Sequence, residues 1–326
     1  MNLGMVNLQE LYAPVRSELA ATTRIFDDEL VGEFPFVNEF CAAVRSYRGK
    51  MLRPALLLLS GKAAGCLRRQ HPTLAAVVEM VHMATLVHDD VLDEADLRRQ
   101  EPTVAAVSGN VSAVLLGDYL ISHAFHLCSG LESQYACRRV GATTNVVCEG
   151  ELLQNRHRGD LELTEDVYFS IIRRKTGALT AVACELGAKY AGADDAVVSA
   201  LHDYGMSAGV AFQIIDDVLD VVGEPTEVGK TLGLDLASGK LTLPTLHAIA
   251  SGNAVAARVI RRALAGSPPT LERLRDLLTE TGSVDYAVNV AREMVAEAVG
   301  KLSLLPCGEA RQSLTAMAEF IVQRTS

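Results

Sequence analysis

Residues 73–97 read TLAAVVEMVHMATLVHDDVLDEADL. Apolar residues recur with helical period, Pro72 precedes the run, and acidic residues gather at its far end. The pattern predicts one long helix from Thr73 to Leu97. It carries Asp89-Asp90-Val91-Leu92-Asp93, and the same pentapeptide returns as Asp216-Asp217-Val218-Leu219-Asp220 late in a second long apolar run, Asp195 to Val222. On a helix the first and fifth residues of each copy stack one turn apart, with the second about 100° around. Two ionised carboxylates about 6 Å apart repel by roughly 3 kcal/mol at an effective dielectric of about 20. The negative end of the helix dipole adds to that cost. A solvated acidic helix end accounts for one copy; two identical copies on apolar helices point to bound cations. Ligands that are all oxygen, with no Cys or His at metal spacing, suit Mg²⁺, which keeps waters and bridges to substrate phosphates. The six aspartates are therefore read as a shared metal–diphosphate site.

Outward from these helices the period stays helical. Val111 to Leu127, entered from Ser108-Gly109-Asn110, Leu131 to Gln154, and Thr164 to Tyr190 are further helix candidates, separated by Gly, Asp and Ser signals. The stretch 223–240, GEPTEVGKTLGLDLASGK, reads as a mobile loop, and helices resume near Leu243. No alternating β pattern persists and no composition shift marks a boundary. The expectation is a single all-α domain over residues 1–326, with its motifs between about 49 and 250.

The composition agrees. Of the 326 residues 49% are hydrophobic and 21% charged, which excludes a disordered or collagen-like chain. A net charge of −10 argues against a general nucleic-acid binder. Runs such as Ala55–Ser60 and Leu179–Cys184 fall short of the roughly 20 residues of a membrane helix, so a soluble protein with no membrane span is expected. The seven cysteines are scattered and form no CxxC, which reads as reduced, buried thiols in a cytoplasmic protein.

An acidic protein that handles anions must gather its cations locally. Arg98 and Arg99 follow the first pentad, and Gly49-Lys50-Met51-Leu52-Arg53-Pro54 sets Lys50 and Arg53 where Pro54 looks like the first residue of a helix. Cations there oppose the dipole, but with a bound anion the dipole, amides and cations act together. His82 lies two turns before Asp89 on the same face, whereas His88 is off that stripe and reads as structural. Gln213 precedes Asp216 and Asp217 by one turn, and Lys175-Thr176 sits in a basic helix segment with Arg173 and Arg174. Gly229-Lys230-Thr231 is no Walker A loop: that motif needs Gly at position 224, where this chain has Glu224, and a preceding strand.

Taken together, GKMLRP at 49–54, HMATLVHDDVLDEADLRR at 82–99, GDYL at 117–120, GELLQ at 150–154, KT at 175–176, FQIIDDVLD at 212–220 and GKTLGLDLASGK at 229–240 resemble the trans-isoprenyl diphosphate synthase (polyprenyl synthetase) family. The resemblance implies a helical bundle of the isoprenoid synthase type with a central substrate cavity, usually a homodimer. It implies that Asp89, Asp90, Asp93, Asp216, Asp217 and Asp220 hold Mg²⁺ against an allylic diphosphate. Arg98, Lys175, Thr176, Gln213, Lys230 and Lys240 would contact that substrate. Lys50, Arg53, His82 and Arg99 would hold the diphosphate of isopentenyl diphosphate. Met51 departs from a position that is basic in many members, and Gln100 from one where Gly often follows the arginine pair.

Product length is read from the helix bearing Asp89. In the family a bulky aromatic about five residues before that aspartate resembles a floor that stops chain growth. Here Ala84 and Thr85 are small, and Val81 and Val77 continue without an aromatic. The expectation is a product longer than geranylgeranyl. The alternatives are a farnesyl or geranylgeranyl synthase, a terpene cyclase, and a non-catalytic synthase subunit. Lys50, Arg53, His82 and Arg99 argue against a cyclase, which needs no isopentenyl site, and six intact aspartates argue against an inert subunit.

Overall fold

The computed structural model describes residues 8–98, 101–223 and 232–324. Helices α1 (Leu8–Leu11), α2 (Arg16–Glu29), α3 (Pro35–Tyr47), α4 (Leu52–Ala64) and α5 (Gln70–Leu92) lead to a two-residue antiparallel hairpin, β1 (Leu97–Arg98) with β2 (Glu101–Pro102). Then come α6 (Val104–Ser129), α7 (Tyr135–Arg156), α8 (Glu165–Ile172), a π-helical turn at Arg173–Gly177, α9 (Ala178–Ala191) and α10 (Asp195–Val222). The chain continues through α11 (Leu234–Ala237), α12 (Leu243–Ala250), α13 (Ala254–Leu264), α14 (Leu271–Glu280), α15 (Ser283–Lys301) and α16 (Glu309–Gln323). The all-α expectation holds. Contacts group the described residues into two compact units, one drawn from Met1–Thr144, Leu179–Gly205 and Lys301–Met317, the other from Asn145–Ala178, Met206–Gly300 and Ala318–Ser326.

Helix α5 is the spine of the first unit, packed most extensively against α6 and also against α2 and α4. It stops five residues short of the expected Leu97. Glu94 adopts a left-handed conformation (φ 50°), Ala95 N–H donates to the Asp90 carbonyl at 2.9 Å, and Glu94 N–H donates to the Val91 carbonyl at 3.3 Å. These are the bonds of a Schellman ending, formed here around an acidic residue instead of glycine. Helix α6 starts earlier than the Gly109 signal suggested, because the Thr103 hydroxyl accepts from Ala106 N–H at 3.0 Å and caps a first turn. Gly109 (φ 81°) then kinks the helix at the Ser108-Gly109-Asn110 breaker. The Thr164–Tyr190 run is continuous but for its π turn.

Small residues let helices of the first unit touch backbone to backbone. A Cβ on Gly187 would sit 2.1 Å from the Leu57 carbonyl oxygen. One on Gly61 would sit 2.6 Å from the buried His71 ring, whose Nε2 lies 3.0 Å from the Gly187 carbonyl. Burial lowers the His71 pKa, so the ring bridges α5 and α9 in its neutral form.

Helix α6 leaves the expectation of no membrane span standing, and one reading of the cysteines needs correction. Helix α6 is long and apolar enough by length and composition to cross a membrane, although it is interrupted at Gly109 and carries Asp118, His123 and His126. Of the cysteines, Cys41, Cys128 and Cys184 are buried, but Cys66, Cys148 and Cys307 are exposed; all seven are free thiols.

Gly187→Ala should destabilise the protein by about 1–3 kcal/mol through overpacking at the α4–α9 contact. The expected readout is a lower urea midpoint at unchanged m-value.

Candidate active site

In the first unit the Schellman ending places the first pentad at the tip of α5. Asp90 is buried (2% exposed), Asp89 is half-buried and Asp93 is exposed. The hairpin folds Arg98 back so that its Nε and Nη2 meet one oxygen of Asp90 at 2.8 and 2.7 Å. The guanidinium also lies 5.9 Å from the centroid of the Tyr47 ring. The Tyr47 hydroxyl accepts from Val104 N–H at 2.9 Å, and its pKa is raised by burial and by the neighbouring Asp90 charge. The other Asp90 oxygen is buried without a hydrogen bond among the described residues.

The expected isopentenyl residues gather in part. Met51, itself in a left-handed conformation (φ 51°), starts α4 two residues earlier than the Pro54 signal. That turn puts Arg53 in the first turn of α4, where its Nη1 lies 3.1 Å from His82 Nε2. Lys50 is exposed, and its carbonyl accepts from the Tyr12 hydroxyl at 2.8 Å. His88 lies off that cluster, with its Nε2 3.1 Å from the Val114 carbonyl. Arg99, Gln100 and Lys230 lie outside the described residues. On the same helix Ala84 and Val81 are fully buried, while the half-buried Thr85 spends its hydroxyl on the His82 carbonyl at 2.7 Å.

The second unit holds a pocket of about 100 Å³ with a mixed polar and apolar lining. Lys175, Thr176, Gln213, Asp217, Asp235 and Lys240 line it together. The π turn Arg173–Gly177 carries Lys175 and Thr176; one such turn shifts the register of the residues it holds, and these turns recur at functional sites. Gly150 of α7 permits the close approach, since a Cβ there would meet Lys175 N at 2.9 Å. Lys175 pairs with Glu151, one residue on. The hydroxyl of Thr176 donates to Gln213 Oε1 at 2.7 Å, and Gln213 Nε2 donates to Asp217 Oδ1 at 2.8 Å. The buried Tyr168 hydroxyl donates to Asp217 Oδ2 at 2.6 Å. Asp220 receives Leu234 N–H and Asp235 N–H at 3.4 and 3.2 Å, so it caps α11.

Burial, then the charge of Asp235, pushes the Asp217 carboxyl well above the usual carboxylate range. Asp216 takes a cation from the chain's far end: Arg324 Nη1 lies 2.9 Å from its Oδ1, over the Phe212 ring. Sequence reading missed Tyr168, Glu151, Asp235 and Arg324. Glu151 and Asp235 stood inside quoted motifs without a role, and Tyr168 lies seven residues before Lys175; nothing in the sequence pointed to Arg324.

Each pentad by itself offers donors that fit a divalent cation. In the first unit these are carboxylate oxygens, one of them, on Asp90, buried without a hydrogen bond among the described residues; in the second, negative charge crowds around Asp217. Hard oxygen ligands of this kind match Mg²⁺ or Ca²⁺.

Similar sequences and folds occur in known proteins. Residues 35–281 match the model of the polyprenyl synthetase family. The octaprenyl diphosphate synthase of Haemophilus influenzae is 38% identical over 91% of each chain. The all-trans-nonaprenyl-diphosphate synthase (geranyl-diphosphate specific) of Rhodobacter capsulatus is 36% identical over 97% of this chain and 98% of its own. A polyprenyl synthase from Caulobacter crescentus, crystallised with calcium and isoprenyl diphosphate, superposes with a TM-score of 0.92 at 34% identity over 98% of each chain. The chain belongs to the polyprenyl synthetase family. The resemblance, the helical fold and the prenyltransferase class read from the sequence are thereby borne out.

A carboxyl whose folded-state pKa is raised costs stability once the pH exceeds its unfolded value, about 3.9 for Asp. In chelator-treated protein, Asp217→Asn should therefore melt higher than the wild type, by a margin that widens as the pH rises from about 4. Thermal melts across that range in EDTA check the sign.

Proposed function

We propose that the protein condenses isopentenyl diphosphate with an allylic diphosphate, head to tail and trans, to make a polyprenyl diphosphate longer than geranylgeranyl. The observation that carries this reading is the convergence of Lys175, Thr176, Gln213, Asp217 and Lys240 on one pocket. At about 100 Å³ it suits a phosphate-sized group and is far below the roughly 300 Å³ at which pockets for larger ligands begin. The long-chain names of the relatives support the product class.

Asp89, Asp90, Asp93, Asp216, Asp217 and Asp220 would hold Mg²⁺ against the allylic diphosphate, and the ions would supply charge neutralisation on that leaving group. Lys175, Lys240, Lys230 and Arg98 add fixed positive charge where negative charge develops, and Thr176 and Gln213 orient the phosphate oxygens. The allylic C–O bond breaks with its electron pair going to diphosphate. Arg53, His82, Lys50 and Arg99 hold the second diphosphate so that the isopentenyl double bond faces the allylic carbon, which is catalysis by positioning. A carbon–carbon bond forms there, and a proton leaves to the released diphosphate. The Arg53–His82 pair favours this reading over a cyclase, which has no second diphosphate to bind.

The enzyme is further proposed to act as a cytoplasmic homodimer. Its free thiols support a reducing compartment. Val107, Val111 and Leu115 of α6 recur every fourth residue and are all more than 60% exposed, an apolar stripe of the kind that marks an association surface.

Incubation of the purified chain with Mg²⁺, isopentenyl diphosphate and each allylic primer, followed by product sizing, tests the assignment: polyprenyl products are expected, and EDTA should abolish them. Loss of Lys175 in Lys175→Ala should lower kcat by about 10²–10³-fold, the usual effect of removing one charge-stabilising group. Ala84→Phe should shorten the product on chromatography; a wild-type product that already stops at farnesyl or geranylgeranyl would defeat the chain-length reading. Val111→Asp should yield monomers by light scattering.

A further inference from the structure

We propose that Glu29, His123 and His126 form a second metal site, built for a borderline transition-metal ion of the Zn²⁺ class and unlike the aspartate pentads in its ligand chemistry. His123 and His126 lie three residues apart on α6, so both rings emerge from one face. Glu29 is the last residue of α2. One carboxylate oxygen receives both imidazoles: Glu29 Oε1 lies 2.8 Å from His123 Nδ1 and 2.7 Å from His126 Nδ1. All three ligand atoms fall within 4.8 Å of one another. Around a tetrahedral ion with bonds of about 2.0–2.1 Å, ligand atoms stand about 3.4 Å apart. Opening the two O···N contacts by about 0.6 Å and bringing the Nδ1···Nδ1 separation, at most 4.8 Å here, to the same spacing through side-chain torsions would admit the ion.

The surroundings suit that use. Tyr119 packs edge-on against the His123 ring at 4.3 Å between centroids and limits its rotation. The His126 side chain is 75% exposed, which leaves an entry path and room for water as a fourth ligand. Each imidazole would bind through Nδ1 as its neutral Nε2–H tautomer, the ion replacing the Nδ1 proton. Imidazole nitrogen selects Zn²⁺, Cu²⁺ or Ni²⁺ over Mg²⁺, which prefers oxygen. The bound ion would tie the end of α2 to α6.

Zn²⁺ titrated calorimetrically into the full chain in saturating Mg²⁺ tests the site. One Zn²⁺ per chain is expected, retained in Asp89→Asn and Asp216→Asn. Removing a direct ligand in His126→Ala should weaken binding by more than the roughly 10–100-fold lost with an outer-shell partner, and His123→Ala likewise. X-ray absorption of the zinc-loaded protein should show imidazole scattering. His126 is exposed, so its replacement should lower the metal-free melting temperature only slightly, which separates lost binding from lost folding. No zinc uptake in Mg²⁺, uptake unchanged in both histidine variants, or uptake lost with the aspartates would each overturn the proposal.

Discussion

A carboxylate taken out of water must find compensation, and this protein buries one near the end of each of two long apolar helices. Asp90 and Asp217 are both at most 5% exposed. An isolated buried carboxylate costs several kcal/mol, so the local structure is organised around answering these two charges. The first is met by Arg98, delivered by the hairpin after α5. The second is met by neutral donors, the Tyr168 hydroxyl and the Gln213 amide, while Asp235 adds to its burden. Neither answer is complete. One Asp90 oxygen has no hydrogen bond among the described residues, and Asp217 holds its proton far more tightly than a free carboxyl. That residual demand for positive charge supports the proposal that these groups hold divalent ions.

Backbone detail sets where those charges sit. The left-handed Glu94 ends α5 just past the pentad and turns the chain back, so that Arg98 meets Asp90 instead of extending along the helix. The π turn does comparable work in the second unit, placing Lys175 beside Glu151 and Thr176 beside Gln213. Glycine at position 150 makes the approach possible because no side chain stands between α7 and the turn. These features lie at helix ends and interruptions, where backbone groups are free and side chains can be re-aimed.

Legibility in the sequence followed chemistry more than geometry. The duplicated pentad stands out as a carboxylate cluster because chance and solvation rarely place the same acidic run twice on apolar helices. Arg53 and His82 share one expected role, and the structure brings them within 3.1 Å. Lys175, Thr176, Gln213 and Lys240 are expected partners of one substrate, and with Asp217 they line one pocket. Tyr168 and Arg324 escape, since a tyrosine in an amphipathic helix and an arginine near the end of the chain look like ordinary packing and ordinary surface. Helix ends differ from expectation at Leu97, Val111 and Pro54, where Glu94, Thr103 and Met51 set the boundaries and overrode the apparent signals.

By itself the sequence determined the helical class, because apolar period 3.6 persists through the long runs, and the reaction class, because paired acidic motifs with scattered cations match few chemistries other than metal-assisted diphosphate departure. Only the tertiary structure decided which oxygens are buried, which cation answers which carboxylate, and that Glu29, His123 and His126 meet. Those outcomes depend on contacts between residues up to 108 positions apart, as in Arg324 with Asp216. No local pattern encodes such contacts, since they follow from how the helices pack and not from the spacing along any one of them.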